Sequence, residues 1–539
     1  MTDLRWLRLT LVLGLGLAVW AAALLAKGGF FIDMHEGDTL HLLDMIMRMT
    51  AGEWPHLDFM TPIGVLAIAP IAAFVALGAS AGQAILLAQV AVAAVLLPAV
   101  IRVAASRIPG IWGHFYGLYV LALVLAVIHG DAARVVSISM HYNRWAWALA
   151  YVALPLVLLP PRGPARPVLD GAIVGLALAG MALTKMTYFI AFLPPVALAL
   201  LVARDGREIV AAAVAGLAVA GAVTILAGPA FWPAYAADLL TVAGSEFRAM
   251  PGDSVDLVIS GPAHLTASLA LSMAVVLLRQ TAAKTAGLIL LVLLPGFVYV
   301  TWQNWGNDPQ WIYLLAFVAL ALRPGPEVVN RLGWNLRQAL TLVAVVALAN
   351  GAPSAINVVS SPLHHLSRDT EDMVPLVTEN PALADVLGDK ERYWRRYIRV
   401  PGDGPGTGLE AFADRVETDE PVTLAGAPVA DCGTEAGYTA IFTTIARDLE
   451  AAGYGGTAIF GADLLSGFWL YGDFRPLKGG APWHYDGLPG LANADYLLVP
   501  HCPMSQDVRD RVARALIEAG VGLTQVRDTP LYALYRPQR

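Results

Sequence analysis

Six carboxylates fall within one short stretch, DMHEGDTLHLLDMIMRMTAGEWPHLDFMTPIG (33–64): Asp33, Glu36, Asp38, Asp44, Glu53 and Asp58. A carboxylate beside a reacting hydroxyl takes up its proton as a general base. Two carboxylates together can also share a divalent cation, although no coordination set is spelled out here. A second group of residues carries the opposite charge. Arg134, Arg144, Lys185 and Arg248 are basic, and each sits beside long apolar stretches. A charge at membrane depth costs about 2.5–3.5 kcal/mol on insertion scales, so such residues usually face a cavity or a partner. Cations there suit an anionic headgroup, phosphate being the commonest at a membrane surface. His141, Tyr142 and Asn143 precede Arg144, and Asn304 and Asn307 lie in TWQNWGNDPQW (301–311), adding hydrogen-bonding groups to the same set.

Each of these residues also has a plainer reading. Lys185 can snorkel to an interface, Arg144 can pair with a structural acid, and Arg134 and Arg248 can be solvated loop charges. The tryptophans of 145–147 and 301–311 can be interfacial anchors. His141 lacks a second metal ligand at i+4. Asp44, Glu53 and His41 read best as parts of a solvated connector. Glu36 and Asp38 stand apart because they adjoin an apolar span and open a helical run in which Leu40, Leu43, Ile46 and Met47 recur at helical spacing.

The elements that must hold these residues are membrane helices. The 539 residues are 57% hydrophobic and 14% charged, against about 25% charged in a soluble domain. Mean hydropathy is +0.60. The net charge of −7, without a Lys/Arg-rich run, argues against nucleic-acid binding. Apolar stretches able to cross about 30 Å of hydrocarbon lie near 10–27, 83–101, 112–129, 145–160, 168–184, 187–203, 209–227, 264–279, 285–301, 311–323 and 338–352. The first follows Arg5 and Arg8 and reads as an uncleaved span with a cytoplasmic N-terminus rather than a signal peptide. The connectors 102–107, 161–166, 204–207, 279–284 and 323–337 hold most of the Lys and Arg, which places them in the cytoplasm. The segments 28–82, 228–263, 302–310 and everything beyond about 353 then lie outside. Only one crossing fits between the first span and Arg102. The shorter apolar run 63–78, which contains Pro70, is therefore expected to lie on or dip into the outer face.

From 353 to 539 the composition changes. Short strands are expected at 422–426, 457–461 and 495–500, and helices at 443–453 and 505–520, giving a C-terminal extracytoplasmic α/β domain. Both cysteines, Cys432 and Cys502, fall there. They form either a bridge, which that compartment permits, or two thiols.

Several of these features resemble a known family. A first span, the run His35-Glu36-Gly37-Asp38, the stretch Gly52-Glu53-Trp54-Pro55-His56-Leu57-Asp58-Phe59 and the GMALTK ending at Lys185 are similar to polyprenyl-phosphate-dependent glycosyltransferases of the GT-C fold. That superfamily includes the protein mannosyltransferases and aminoarabinose transferases. The outer loop 228–263 falls where the family has its second large loop. The family's usual Asp-Glu pair reads His35-Glu36 here, flanked by Asp33 and Asp38. The resemblance covers roughly residues 1–330. It implies about eleven transmembrane helices, with a catalytic loop and interfacial helix over 28–82. It also implies inverting transfer of a sugar from a polyprenyl phosphate to a lipid, glycan or protein hydroxyl on the periplasmic face of a bacterial inner membrane. Glu36 and Asp38 are the first candidates for the base, then Asp58 and Asp33. Lys185, Arg144 and Arg248 are candidates for the leaving phosphate, with His141, Tyr142, Asn143, Asn304 and Asn307 around them. A divalent cation is permitted but not required. The alternatives are a lipid-linked substrate transporter or flippase, and a non-catalytic membrane assembly protein.

Overall fold

A computed structural model describes residues 2–130, 133–245, 254–304, 308–394, 423–429 and 436–538. The chain runs α1 (Thr2–Leu25), β1 (Phe30–Ile32), α2 (Glu36–Thr50), α3 (Ala69–Ala76), α4 (Ala81–Ser106), α5 (Trp112–Leu125), α6 (His141–Leu158), α7 (Pro167–Thr184), α8 (Met186–Ala203), α9 (Gly206–Ala227), α10 (Phe231–Gly244), α11 (Val255–Ser260), α12 (Pro262–Leu278), α13 (Lys284–Gln303), α14 (Trp311–Ala321) and α15 (Leu336–Ser367). Each of the eleven expected spans falls on one of these helices. Among the described residues seven are long and apolar enough to cross a membrane: α1, α4, α7, α8, α9, α13 and α15. Helices α5, α12 and α14 are shorter and apolar, and α6 opens on a polar turn, HYNR. Large apolar side chains such as Leu15, Leu217, Ile225 and Leu342 are left exposed around the bundle, as a lipid-facing surface requires.

The apolar run 63–78 forms only a turn and the eight-residue α3. That is about 12 Å of helix, far short of a hydrocarbon core. Packing in the bundle is closest between α7 and α9. A Cβ on Gly171 would stand 2.2 Å from the Glu208 carbonyl, and one on Gly175 2.0 Å from that of Ala212. Small residues one turn apart let the two backbones touch.

The bundle has two ends with different contents. At one end Asp170, on the first turn of α7, receives both Arg102 (2.7 and 2.9 Å) and Arg107 (2.8 Å). The other end carries α2 and the C-terminal region. Helix α15 runs unbroken through residue 353 to Ser367. Beyond it come β2 (Met373–Pro375), β3 (Val386–Asp389), α16 (Lys390–Trp394), β4 (Thr423–Leu424), β5 (Ala427–Pro428), α17 (Tyr438–Ala451), β6 (Ile459–Gly461), β7 (Tyr496–Pro500), α18 (Gln506–Glu518), β8 (Leu523–Asp528) and β9 (Tyr532–Pro537). The strands near 423, 459 and 496 and the helices near 443 and 506 fall where the pattern puts them. The sequence reading missed the β8–β9 hairpin and a small sheet ordered β1–β3–β2, in which β1 pairs in parallel with β3 across the chain. Cys502 is disulfide-bonded, and Cys432 lies outside the described residues.

Helix α2 is clamped under this C-terminal region. Asp44 and Arg48, one turn apart, form a buried pair at 2.6 Å. The other Asp44 oxygen accepts from the Trp469 indole at 2.7 Å, and Arg48 donates to the Leu477 carbonyl at 3.1 Å. Arg48 also reaches Glu53 at 3.0 Å. Burial raises the Glu53 carboxyl above its usual range, and Arg48 opposes the shift. Asp44 and Glu53 are therefore structural, though Asp44 is buried rather than solvated.

Candidate functional site

The stretch 33–38 lies side by side with 136–139, the segment that leads into α6. Asp33 and Val136 exchange two hydrogen bonds of 2.9 Å, one through the Asp33 side chain. His35 Nδ1 lies 2.9 Å from the Ser137 hydroxyl. The Ser139 hydroxyl donates to Asp38 at 2.7 Å. Both helices that follow start from a left-handed residue, His35 (φ 67°) before α2 and Met140 (φ 54°) before α6. Such backbone is uncommon outside glycine and clusters at functional sites.

The four candidate carboxylates have different surroundings. Asp33 is paired with Arg368 and caps Val136. Glu36 is buried and held by two nitrogens of Arg392. Asp58 accepts from the Trp54 backbone at 2.8 Å, closing its own turn. Asp38 is half-buried, and among the described residues its one hydrogen bond comes from Ser139. Three of the four thus serve as ties, and the fourth keeps an oxygen in reserve.

The cationic residues meet a short way along. Lys185 is the single extended residue (φ −154°) between α7 and α8. Its Nζ donates to Asn304 at 2.7 Å and lies 5.2 Å from the centre of the Tyr142 ring. The Asn304 amide donates to the Tyr188 hydroxyl at 3.1 Å. Arg144 is 2% exposed. Its Nη1 donates to the Ser139 carbonyl at 3.4 Å, while Nε and Nη2 have no partner among the described residues. The buried amide of Asn143 is likewise without a partner at either atom among the described residues. Unmet buried donors are costly and point to a missing acceptor. His141 is turned to another task, with Nε2 2.9 Å from the Ala67 carbonyl and its ring against Trp145. Arg134 is exposed. Arg248 and Asn307 lie outside the described residues.

Ser139 therefore bridges the two charges, giving its hydroxyl to Asp38 and its carbonyl to Arg144. The 33–64 loop is pressed against the Lys185 break as well. The Gly64 amide donates to the Thr184 carbonyl at 3.2 Å, and a Cβ there would stand 2.1 Å from the Leu183 carbonyl. Sequence reasoning missed Ser137, Ser139, Tyr188 and the two arginines that occupy Asp33 and Glu36. Among the described residues no group of three or more His, Cys, Asp or Glu lies together as a metal site.

No known protein-family profile matches the chain, and no curated protein matches it. Among solved structures it is similar to ArnT from Cupriavidus metallidurans. The apo form overlays with a TM-score of 0.40 at 11% identity, covering 97% of each chain. The form bound to undecaprenyl phosphate gives 0.35 at 12% identity, again over 97% of each.

Proposed function

We propose that this protein transfers a sugar from a polyprenyl phosphate to an acceptor hydroxyl at the α2 end of the bundle. The observation that carries the reading is the pairing of a buried Arg144, two of whose nitrogens lack an acceptor among the described residues, with a carboxylate, Asp38, one serine away. A phosphate supplies acceptors that Arg144 and Asn143 lack, and Lys185 adds a second cation. The lipid part of such a donor has a place as well. A groove of about 580 Å³ between α7, α8 and α9 begins at Leu183 and Met186, on either side of Lys185, and continues past Val196 to Ile209. Its walls are apolar side chains, and Leu217 on its rim is exposed. A polyprenyl chain in this groove brings its phosphate to Lys185 from within the bilayer.

The chemistry follows from the polarity of the two groups. The acceptor oxygen attacks the anomeric carbon, and its proton passes to Asp38. The bond from that carbon to the phosphate oxygen breaks with its electron pair on the oxygen. Arg144 and Lys185 hold the phosphate dianion that leaves, so no acid is needed. A single displacement of this kind inverts the anomeric centre. Asp38 is the base of choice because Glu36, Asp33 and Asp58 are already engaged. The connectors rich in Lys and Arg lie at the Arg102 end, so the positive-inside rule sets the α2 end on the extracytoplasmic face.

The test is release of polyprenyl phosphate from a polyprenyl-phosphate-linked sugar by purified protein. Asp38→Asn is expected to abolish turnover while leaving undecaprenyl phosphate binding intact, with Glu36→Gln and Asp58→Asn compared after equal membrane insertion. Near-normal turnover in Asp38→Asn would remove Asp38 as the base.

A further inference from the structure

The first turn of α2, which carries Asp38, has little to hold it from within. It starts from left-handed His35, whose side chain turns to Ser137 at 2.9 Å rather than capping the helix. Gly37 lies inside the turn, and glycine is a poor helix former. A helix start of this kind frays unless contacts from outside hold it. The far end of α2 is secured separately, through Asp44 and Arg48.

Two carboxylates grip the turn from opposite sides, since residues two apart on a helix point about 200° apart. Asp38 accepts from Ser139 at 2.7 Å, on the segment leading into α6. Glu36 meets the C-terminal region, where Arg392 places Nε on one of its oxygens and Nη2 on the other, the second at 3.2 Å. A planar guanidinium on both oxygens fixes the direction of a carboxylate as well as its distance. Arg392 is itself set in place by a crossing of the chain. β3 pairs in parallel with β1, Ile32 standing opposite Gly388, and Asp33 follows Ile32 directly. α16 follows β3, and its Arg392 amide donates to Asp389 at 3.0 Å. The Asp385 carbonyl accepts from the Phe30 amide at 2.9 Å, and its carboxylate accepts from the Gly82 and Gln83 amides at 2.8 and 2.7 Å. The segment 385–392 is thus tied to β1 and to the start of α4, and it delivers one guanidinium to the turn.

We propose that Arg392 is a positioning residue: through Glu36 it keeps the first turn of α2 wound, and so keeps Asp38 aimed at the acceptor hydroxyl. This deepens the glycosyl-transfer reading and rests on it, and it gives the C-terminal region a part in the reaction. Misplacing a reacting group by about 1 Å can cost about 10²-fold in rate. A salt bridge that touches no substrate therefore sets kcat here.

The experiment uses the full chain in detergent and reads polyprenyl phosphate release, undecaprenyl phosphate binding and amide hydrogen exchange separately. The Arg392 side chain is 39% exposed, so Arg392→Met removes the guanidinium without opening the core. It should lower kcat about 10–100-fold and keep undecaprenyl phosphate affinity within about threefold of wild type. Exchange should speed up about tenfold over 37–40 and stay unchanged over 44–50. Arg392→Lys, which keeps the charge and loses the fork, should turn over about threefold or more faster than Arg392→Met. Glu36→Ala cuts the same link from its other side and should match Arg392→Met. The double variant should then lie within about threefold of either single one. Normal kcat in Arg392→Met, unchanged exchange over 37–40, or losses that multiply in the double variant overturn the proposal. A loss of undecaprenyl phosphate affinity as large as the loss of kcat overturns it too, because it marks general disruption. Failure of wild type to release polyprenyl phosphate overturns the transferase reading instead, and exchange in the single and double variants still judges the clamp.

Discussion

Buried arginines occur at both ends of the bundle, and they are treated in opposite ways. Arg102 and Arg107 are 6% and 4% exposed and converge on Asp170 at 2.7–2.9 Å. Arg144 is 2% exposed, yet among the described residues its Nε and Nη2 have no hydrogen-bond partner, and its link to a carboxylate runs through Ser139. A buried charge is tolerated when it is paired and hydrogen-bonded. At the Arg102 end both arginines pair directly with Asp170, only Arg107 Nε being left unmatched among the described residues, and this end reads as structure. The Arg144 end leaves that condition unmet, and an anionic ligand would complete it. The same residue type at the same depth thus serves the fold at one end and, on this account, the substrate at the other.

Exchanging the roles should break the comparison cleanly. The largest effect is expected at Asp38. Asp38→Asn should lower kcat by about 10²–10⁴ with unchanged thermal unfolding, measured by polyprenyl phosphate release and a melting scan. Arg144→Met should lower kcat/KM by about 10²–10³ and leave stability equal or higher, because an unmatched buried charge is removed. Asp170→Asn should do the reverse. It strands two buried arginines and should cost about 3–5 kcal/mol of stability, while the folded fraction retains normal undecaprenyl phosphate affinity. Ser139→Ala should reduce kcat/KM about tenfold, as expected for loss of one hydrogen bond to a charged group. The smallest effect concerns a potential cation kept neutral. Burial holds the His484 imidazole down to about 4 despite nearby Asp486. The unfolded chain takes up that proton near pH 6.5 and the folded chain does not, so stability is present above about 6.5 and is lost as pH falls towards 4. His484→Gln should flatten that part of the pH–stability curve in a chemical unfolding series.

Much of the frame was legible because apolar runs long enough to cross a bilayer have few other uses. The exclusion of 63–78 as a span came from counting sides, and the eight residues of α3 agree with it. Lys185 stood out as a lone charge between two apolar runs. The fates of the carboxylates were hidden. Arg368 and Arg392 lie 335 and 356 positions from their partners Asp33 and Glu36, and nothing local in HEGD announces them. The same distance hid the β1–β3 pairing. Ser139 was passed over because a serine in SISM carries no signal until Asp38 and Arg144 are seen on either side of it. Left-handed His35 and His56 were unreadable for a related reason, since residues other than glycine rarely adopt that backbone.

The central claim is that a lipid phosphate completes Arg144 and also meets the Lys185 ammonium. A structure determined with undecaprenyl phosphate tests it most directly. The account predicts phosphate oxygens about 2.7–2.9 Å from Arg144 Nη2 and Lys185 Nζ, with the chain in the α7–α8–α9 groove. A phosphate seated instead at the Arg102 end, in the cavity of about 560 Å³ beside Arg107 and Arg166, with Arg144 still unpaired, would contradict it.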